Sequence, residues 1–118
     1  MADTLKNDMQ ISNAATEKSF ATVPNSATQK HTIISVSLCN INTTTAHTFD
    51  MYVSDIAGNH LSAGNPCRIY KTQTIPPKST FIHSDKIVME DRETLRITID
   101  TGGSATDVHI NCSYLKQD

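Results

Sequence analysis

At 118 residues the chain has room for one domain, and with 5% aromatics and no Trp its interior must come mainly from Ile, Val, Leu and Met, which favours a thin sandwich over a large pocketed enzyme. The net charge of −2 arises from ten Lys and Arg against twelve Asp and Glu, scattered without a basic stripe or interleaved aromatics, a distribution that argues against a nucleic-acid partner. No apolar run approaches the roughly 18 residues that span a bilayer, so no membrane partner is expected either.

The first eight residues, Met-Ala-Asp-Thr-Leu-Lys-Asn-Asp, lack the basic start and apolar run of a secretory signal. The chain is therefore expected in a cytoplasm, or in a larger assembly built there. Residues 1–18 read as a polar N-terminal arm in which Met9 and Ile11 form a spaced apolar pair. Such an arm is either a free tail or a segment that orders by adding a strand, through Met9 to Ser12, to a neighbouring copy. Residues 19–118 read as the domain.

Ser19 to Val23 is a short strand stopped by Pro24-Asn25-Ser26, where proline fixes φ and asparagine tolerates a tight turn. Thr32 to Asn42 carries the longest β signal of the first half. Its Ile34, Val36 and Leu38 share one parity and Ile41 takes the other, which predicts a bulge or burial on both faces near Cys39-Asn40. After the polar turn Asn42 to Ala46, the run His47 to Ser54 alternates with Phe49, Met51 and Val53 inward. Gly58-Asn59, in the loop Asp55 to His60, supplies the positive φ of a tight reversal, and Leu61 to Pro66 continues irregularly. Arg68 to Thr72 is a short strand. Ile75-Pro76-Pro77 marks a sheet edge or a crossing between sheets, because consecutive prolines cannot sit in a central strand. Thr80 to His83 and Lys86 to Met89 are further short strands around Ser84-Asp85. The last two alternating runs, Glu93 to Asp100 and Val108 to Leu115, read as a terminal antiparallel hairpin joined through Gly102-Gly103. About eight short strands without an amphipathic helix predict an all-β fold, a single antiparallel β-sandwich or jelly-roll-like domain in which sequential strands mostly pair.

Catalytic signals are weak throughout. The histidines at 31, 47, 60, 83 and 109 lack metal-site spacing, although in a β fold ligands can converge from separate strands. His60 and His83 lie in or beside loops and are expected to be exposed, as is His109 on the polar side of its strand. Glu90-Asp91-Arg92-Glu93 reads as a solvated turn rather than a general acid–base pair. His109 and Cys112, three residues apart in a strand, point to opposite faces. Cys39, Cys67 and Cys112 match no zinc pattern and cannot all pair within the chain, and Cys39 and Cys112 read as buried strand residues. Gly102-Gly103 lacks the helix and the Lys-Ser/Thr of a phosphate cradle. The expectation is no enzymatic activity, no cofactor and no metal. What stands out instead is apolar or turn-forming and lies outside the expected core: Met9 and Ile11 in the arm, and Gly58, Asn59, His60 and Leu61 in the loop, as candidate assembly contacts.

Several ordered pieces add a resemblance. Thr22-Val23-Pro24, Val36 to Ile41, Tyr70, the Ile75-Pro76-Pro77-Lys78-Ser79 step, Lys86 to Glu90, Glu93 to Ile97 and the final Val108 to Leu115 resemble small β-sandwich virion proteins of tailed bacteriophages, especially those of marine and cyanobacterial hosts. The resemblance spans Ser19 to Leu115 and departs at Lys78-Ser79, where such proteins commonly carry glycine. It implies a non-enzymatic structural protein present in many copies, made in the host bacterial cytoplasm and carried in the virion as a capsid decoration or a neck- or tail-associated subunit. The implied partners are copies of itself and other virion proteins, met through strand edges and the N-terminal arm. The competing expectation is a small carbohydrate-binding or host-recognition module, for which three Tyr and three Phe are a thin supply of stacking platforms.

Overall fold

The computed structural model describes residues 3–12, 17–26, 28–55, 67–100 and 106–117. Nine strands run through them: β1 (Asp3–Ile11), β2 (Lys18–Phe20), β3 (Lys30–Asn40), β4 (His47–Asp55), β5 (Cys67–Ile75), β6 (Thr80–His83), β7 (Ile87–Glu90), β8 (Glu93–Ile99) and β9 (Val108–Gln117). They form two antiparallel sheets packed on a shared core, the sandwich that the alternation predicts. Sheet A has the order β1-β9-β3-β6, with β7 also on β3, and sheet B has the order β2-β8-β4-β5. Strand β3 is the backbone of sheet A. Its outer flank is shared end to end by β6, opposite Val36 to Cys39, and β7, opposite Lys30 to Ile33.

The core is filled by the inward parity of both sheets: Ile33, Val36 and Leu38 from β3, Phe49 and Met51 from β4, Leu95 and Ile97 from β8, and Val108, Ile110 and Cys112 from β9. Each large aliphatic or aromatic side chain buried this way contributes about 1.5–3 kcal/mol. Aliphatic packing therefore substitutes for the missing Trp.

Alternation fixes which side of a strand is buried, but it carries no information about the strand alongside. The expected terminal hairpin is accordingly absent: β8 lies between β2 and β4, β9 lies between β1 and β3, and the two meet through the core rather than through a ladder. Among the described strands, β4 and β5 are the sole consecutive pair to bond directly, so the expectation that sequential strands mostly pair is also corrected. The chain changes sheet at most connections. One of these is the proline step: Ile75 closes β5 in sheet B and Thr80 opens β6 in sheet A. Lys78 stands in the left-handed region at φ 58°, where glycine would be free of strain. Its N–H donates to the Asn42 carbonyl at 3.0 Å.

The irregularity in β3 sits earlier than expected. The register slips between Ile33 and Ser35, leaving Ile34 as the extra residue. Ile33 is buried, Ile34 is 37% exposed, and the interior position after Leu38 falls to Asn40. That buried amide is satisfied: its Nδ2 donates to the carbonyls of Thr45 at 3.0 Å and Ile75 at 3.1 Å, and its Oδ1 accepts the Asn42 N–H at 3.0 Å. The inward parity of Val36 and Leu38 runs on through Asn40 and leaves Ile41 51% exposed, so no face switches near Cys39 and the one bulge of β3 lies at Ile34.

Residues of the expected arm form β1, nine residues paired antiparallel with β9 of the same chain from Asp3 opposite Gln117 to Ile11 opposite His109. Within this chain the segment is neither a free tail nor a strand given away. It covers the backbone edge of β9, which would otherwise be open. It is pinned at its C-terminal half: Asp8 accepts the Ala21 N–H at 3.2 Å, Gln10 Nε2 donates to the Ser19 carbonyl at 2.9 Å, and the Ser12 N–H donates to the Val108 carbonyl at 2.8 Å. No described residue of β1 belongs to the hydrophobic core.

Candidate interaction surface

Side chains alternate across a sheet, so residues opposite one another in the register share a face. Three rows on the outer face of sheet A follow from the pairings. They read Ile11–His109–Cys39–Thr80, Met9–Asn111–Ser37–Ile82 and Leu5–Leu115–Thr32–Val88, each running β1, β9, β3 and then β6 or β7. Leu5, Met9, Ile11, Ile82 and Val88 are 70, 69, 52, 62 and 57% exposed. With Ile34 they account for every exposed large hydrophobic among the described residues except Ile41, which directly follows β3. The rows hold no Asp, Glu, Lys or Arg. Charge returns at one end, where Asp3, Gln117, Lys30 and Glu90 line up and Lys30 pairs with Glu90 at 3.5 Å.

The relief of this face is uneven. Tall side chains rise along β1 (Met9, Ile11) and along β6 and β7 (Ile82, Val88), with the small Ser37 and Cys39 of β3 between them. A groove of about 570 Å³ results, walled by Met9 and Ile11 and lined by Ser37, Cys39, His109 and Asn111. At its floor the side-chain oxygen of Asn111 is enclosed and accepts no hydrogen bond.

Sheet B presents the opposite chemistry. Arg96 pairs with Glu17 at 2.6 Å and donates from Nε to Ser54 at 2.5 Å. The Tyr52 hydroxyl donates to Glu17 and lies 3.3 Å from Thr98 Oγ1, while Arg68 covers the Tyr52 ring at 5.2 Å and pairs with Asp50 at 3.4 Å. These groups satisfy one another, around a Tyr52 and a Ser54 that are themselves buried. The cover over Tyr52 also removes the one outward aromatic of β4 from solvent. None of the Tyr and Phe residues is exposed.

His47 could be taken for part of a catalytic arrangement. Its ring is 1% exposed, Nδ1 lies 2.5 Å from Asp100 and Nε2 lies 2.9 Å from Asp107. Burial draws the imidazole pKa down, but the hydrogen bonds to Asp107 and Asp100 outweigh it and hold the pKa above the usual value. Asp100 is pushed up by burial and held lower on balance by the bonds from His47 and from the Thr48 N–H and hydroxyl. With both nitrogens committed to carboxylates, the ring has none left to serve as a general base. The clamp is structural, joining β4 and the end of β8 in sheet B to the start of β9 in sheet A.

The other chemical candidates are dispersed. Burial, reinforced by the charge of Asp8, pushes the Cys112 thiol up to about 12, far from the range of a nucleophile. Cys39 is half-buried on the groove side and Cys67 is exposed, so the two cysteines expected in the core are divided between core and face. His83, expected in solvent, is buried, with Nδ1 2.9 Å from the Tyr70 hydroxyl. Its inward parity opposite Val36 overrides its place near a loop. His109 is exposed, on the face opposite Cys112. Among the described residues, no group of three His, Cys, Asp or Glu is arranged to hold a metal ion.

Of the candidate assembly contacts, the structure brings Met9 and Ile11 together as one wall of the groove. Gly58, Asn59, His60 and Leu61 lie outside the described residues. Leu5, Ile82 and Val88 were not singled out by sequence. The available signal was apolar character on both parities, in Phe81-Ile82 and Ile87-Val88-Met89, which in a strand means that both faces are apolar. No protein-family model matches the chain, and neither does any curated protein or solved structure.

Proposed function

We propose that the chain is a non-enzymatic structural subunit that assembles with copies of itself, and that it serves in a tailed-phage virion as a multi-copy capsid decoration or neck- or tail-associated protein. The observation that carries the assembly reading is the gathering of exposed apolar side chains on one face, in rows that carry no charge, while the other face is a satisfied charged network. Exposed large apolar side chains gathered on one face among small and neutral polar ones mark an interaction site. The virion setting rests on the resemblance of the pieces from Thr22 to Leu115 alone, and implies other virion proteins as further partners. A glycan-recognition role finds little support where every ring is wholly or partly covered.

Light scattering on the purified chain across a wide concentration range tests the reading. A discrete oligomer, or a mass that rises with concentration, is the expected result. A monomer at every concentration counts against self-assembly, and a glycan screen would then take precedence.

A further inference from the structure

Resting on the self-assembly reading, we infer that the outer face of sheet A pairs with the same face of a second copy, seating Ile82 of each chain in the groove of the other beside Met9 and Ile11.

Three observations point to a second copy as the occupant. The first is shape. The groove lies between β1 and β3, and the ridge made by Ile82 and Val88 lies on the flank of β3 away from it, on the same face. Met9 and Ile82 belong to one row and are about 14 Å apart, three strand spacings. A two-fold axis running along the strands near β3 carries the ridge of one copy over the groove of the other, and the reverse. This is the self-complementarity that an isologous contact needs.

The second is charge. A two-fold contact sets like surface against like, so a patch of one sign would repel its own image. The three rows from Leu5 to Thr80 contain no Asp, Glu, Lys or Arg, and the charged row lies at the rim. The outer face of sheet B, with Glu17, Asp50, Arg68 and Arg96, has no such neutral field.

The third is area. Four strand widths by nine residues give a footprint of roughly 600 Å² before side-chain relief, against the roughly 800 Å² of accessible surface per partner in a standard stable interface. The face is large enough to carry most of one.

The test is a charge exchange across the proposed contact, read by light scattering or sedimentation over a concentration range. Ile82→Glu and Met9→Lys are each made singly and then together. Both positions are well exposed in the single chain, so each variant is expected to keep the wild-type melting curve at concentrations where the wild type is monomeric, since association itself adds stability above them. Each single variant is expected to weaken association roughly tenfold or more. The double variant is expected to recover much of the loss, because the new Glu of one copy then meets the new Lys of the other. A direct intrachain effect across about 14 Å is largely screened at physiological salt, so recovery identifies the intermolecular contact. Association that persists undiminished in both single variants overturns this interface while leaving self-assembly intact. A wild-type chain that is monomeric at every concentration overturns both.

Discussion

His47 lies on β4 in sheet B and is gripped by Asp100 at the end of β8 and by Asp107 at the start of β9 in sheet A. Both ring nitrogens can donate only when the imidazole is protonated; a neutral ring turns a lone pair toward one carboxylate. Because the folded pKa of His47 is raised, its contribution is fully present below the ordinary value of about 6.5 and is lost as pH climbs through the folded value. The lowered pKa of Asp100 gives the mirror image: its contribution is present above about 4 and is lost as pH falls through the folded value. Urea midpoints measured across the pH range are therefore expected to form a plateau between these limits and to fall on the alkaline side. His47→Gln should lower stability by about 3 kcal/mol, since it leaves the buried Asp107 and the half-buried Asp100 without their cation, and should flatten the alkaline fall. A midpoint in the native chain that does not change as pH rises past neutrality would remove the clamp from the account. Lys78 offers a second single-residue test. A side chain at φ 58° costs about 1–2 kcal/mol, of which the greater unfolded-state entropy of glycine returns part. Lys78→Gly is thus expected to raise stability by about 0.5–1 kcal/mol in the same urea measurement.

At the scale of elements, β1 is separable from the core, since its described residues contribute nothing to the hydrophobic cluster. A chain lacking residues 1–16 is expected to unfold in one cooperative transition. The loss of the four bonds that Asp8, Gln10 and Ser12 make to Ala21, Ser19 and Val108 should cost about 4 kcal/mol at roughly 1 kcal/mol each, and the loss of the β1–β9 ladder adds to it. It should also lose the face-to-face contact, because Leu5, Met9 and Ile11 go with it, and any association that remains should run through the opened edge of β9. Denaturant melts and light scattering on the same sample read the two effects separately. The same strand shows what the sequence carried. Met9 and Ile11 were legible as candidate contacts because apolar residues in a polar segment have no evident core to join. The inward faces of β4, β8 and β9 were legible from period-two alternation. The partners of those strands were not, because a period of two specifies a face and leaves the neighbour open; β8 and β9 resemble a hairpin by proximity alone. In β3 the bulge at Ile34 takes that residue off the inward parity it shares in sequence with Val36 and Leu38, and Asn40, which keeps that parity, is polar and gives no signal of its burial. Ile82 and Val88 escaped notice because their inward neighbours Phe81 and Met89 are also apolar.

At the scale of the whole molecule, the two outer faces differ in what salt does to them. A contact made through Arg96, Glu17, Arg68 and Asp50 would depend on charge attraction, and raising salt from about 0.05 M to about 1 M shortens the screening length to about 3 Å. A contact made through Leu5, Met9, Ile11, Ile82 and Val88 depends on removing apolar surface from water, which excluded salts such as sulfate strengthen. Sedimentation equilibrium is therefore expected to show association that holds in sodium chloride over this range and tightens in sodium sulfate. Association that weakens steeply with salt would move the interface to sheet B. The distinction also bears on how far assembly goes. A face-to-face pair uses up the apolar face of both copies and leaves two charged faces outward, so it closes at two. Growth beyond the pair would need different surfaces, such as strand edges or another protein, and so purified chain should stop at a dimer while larger assemblies require the partner or particle that supplies those contacts.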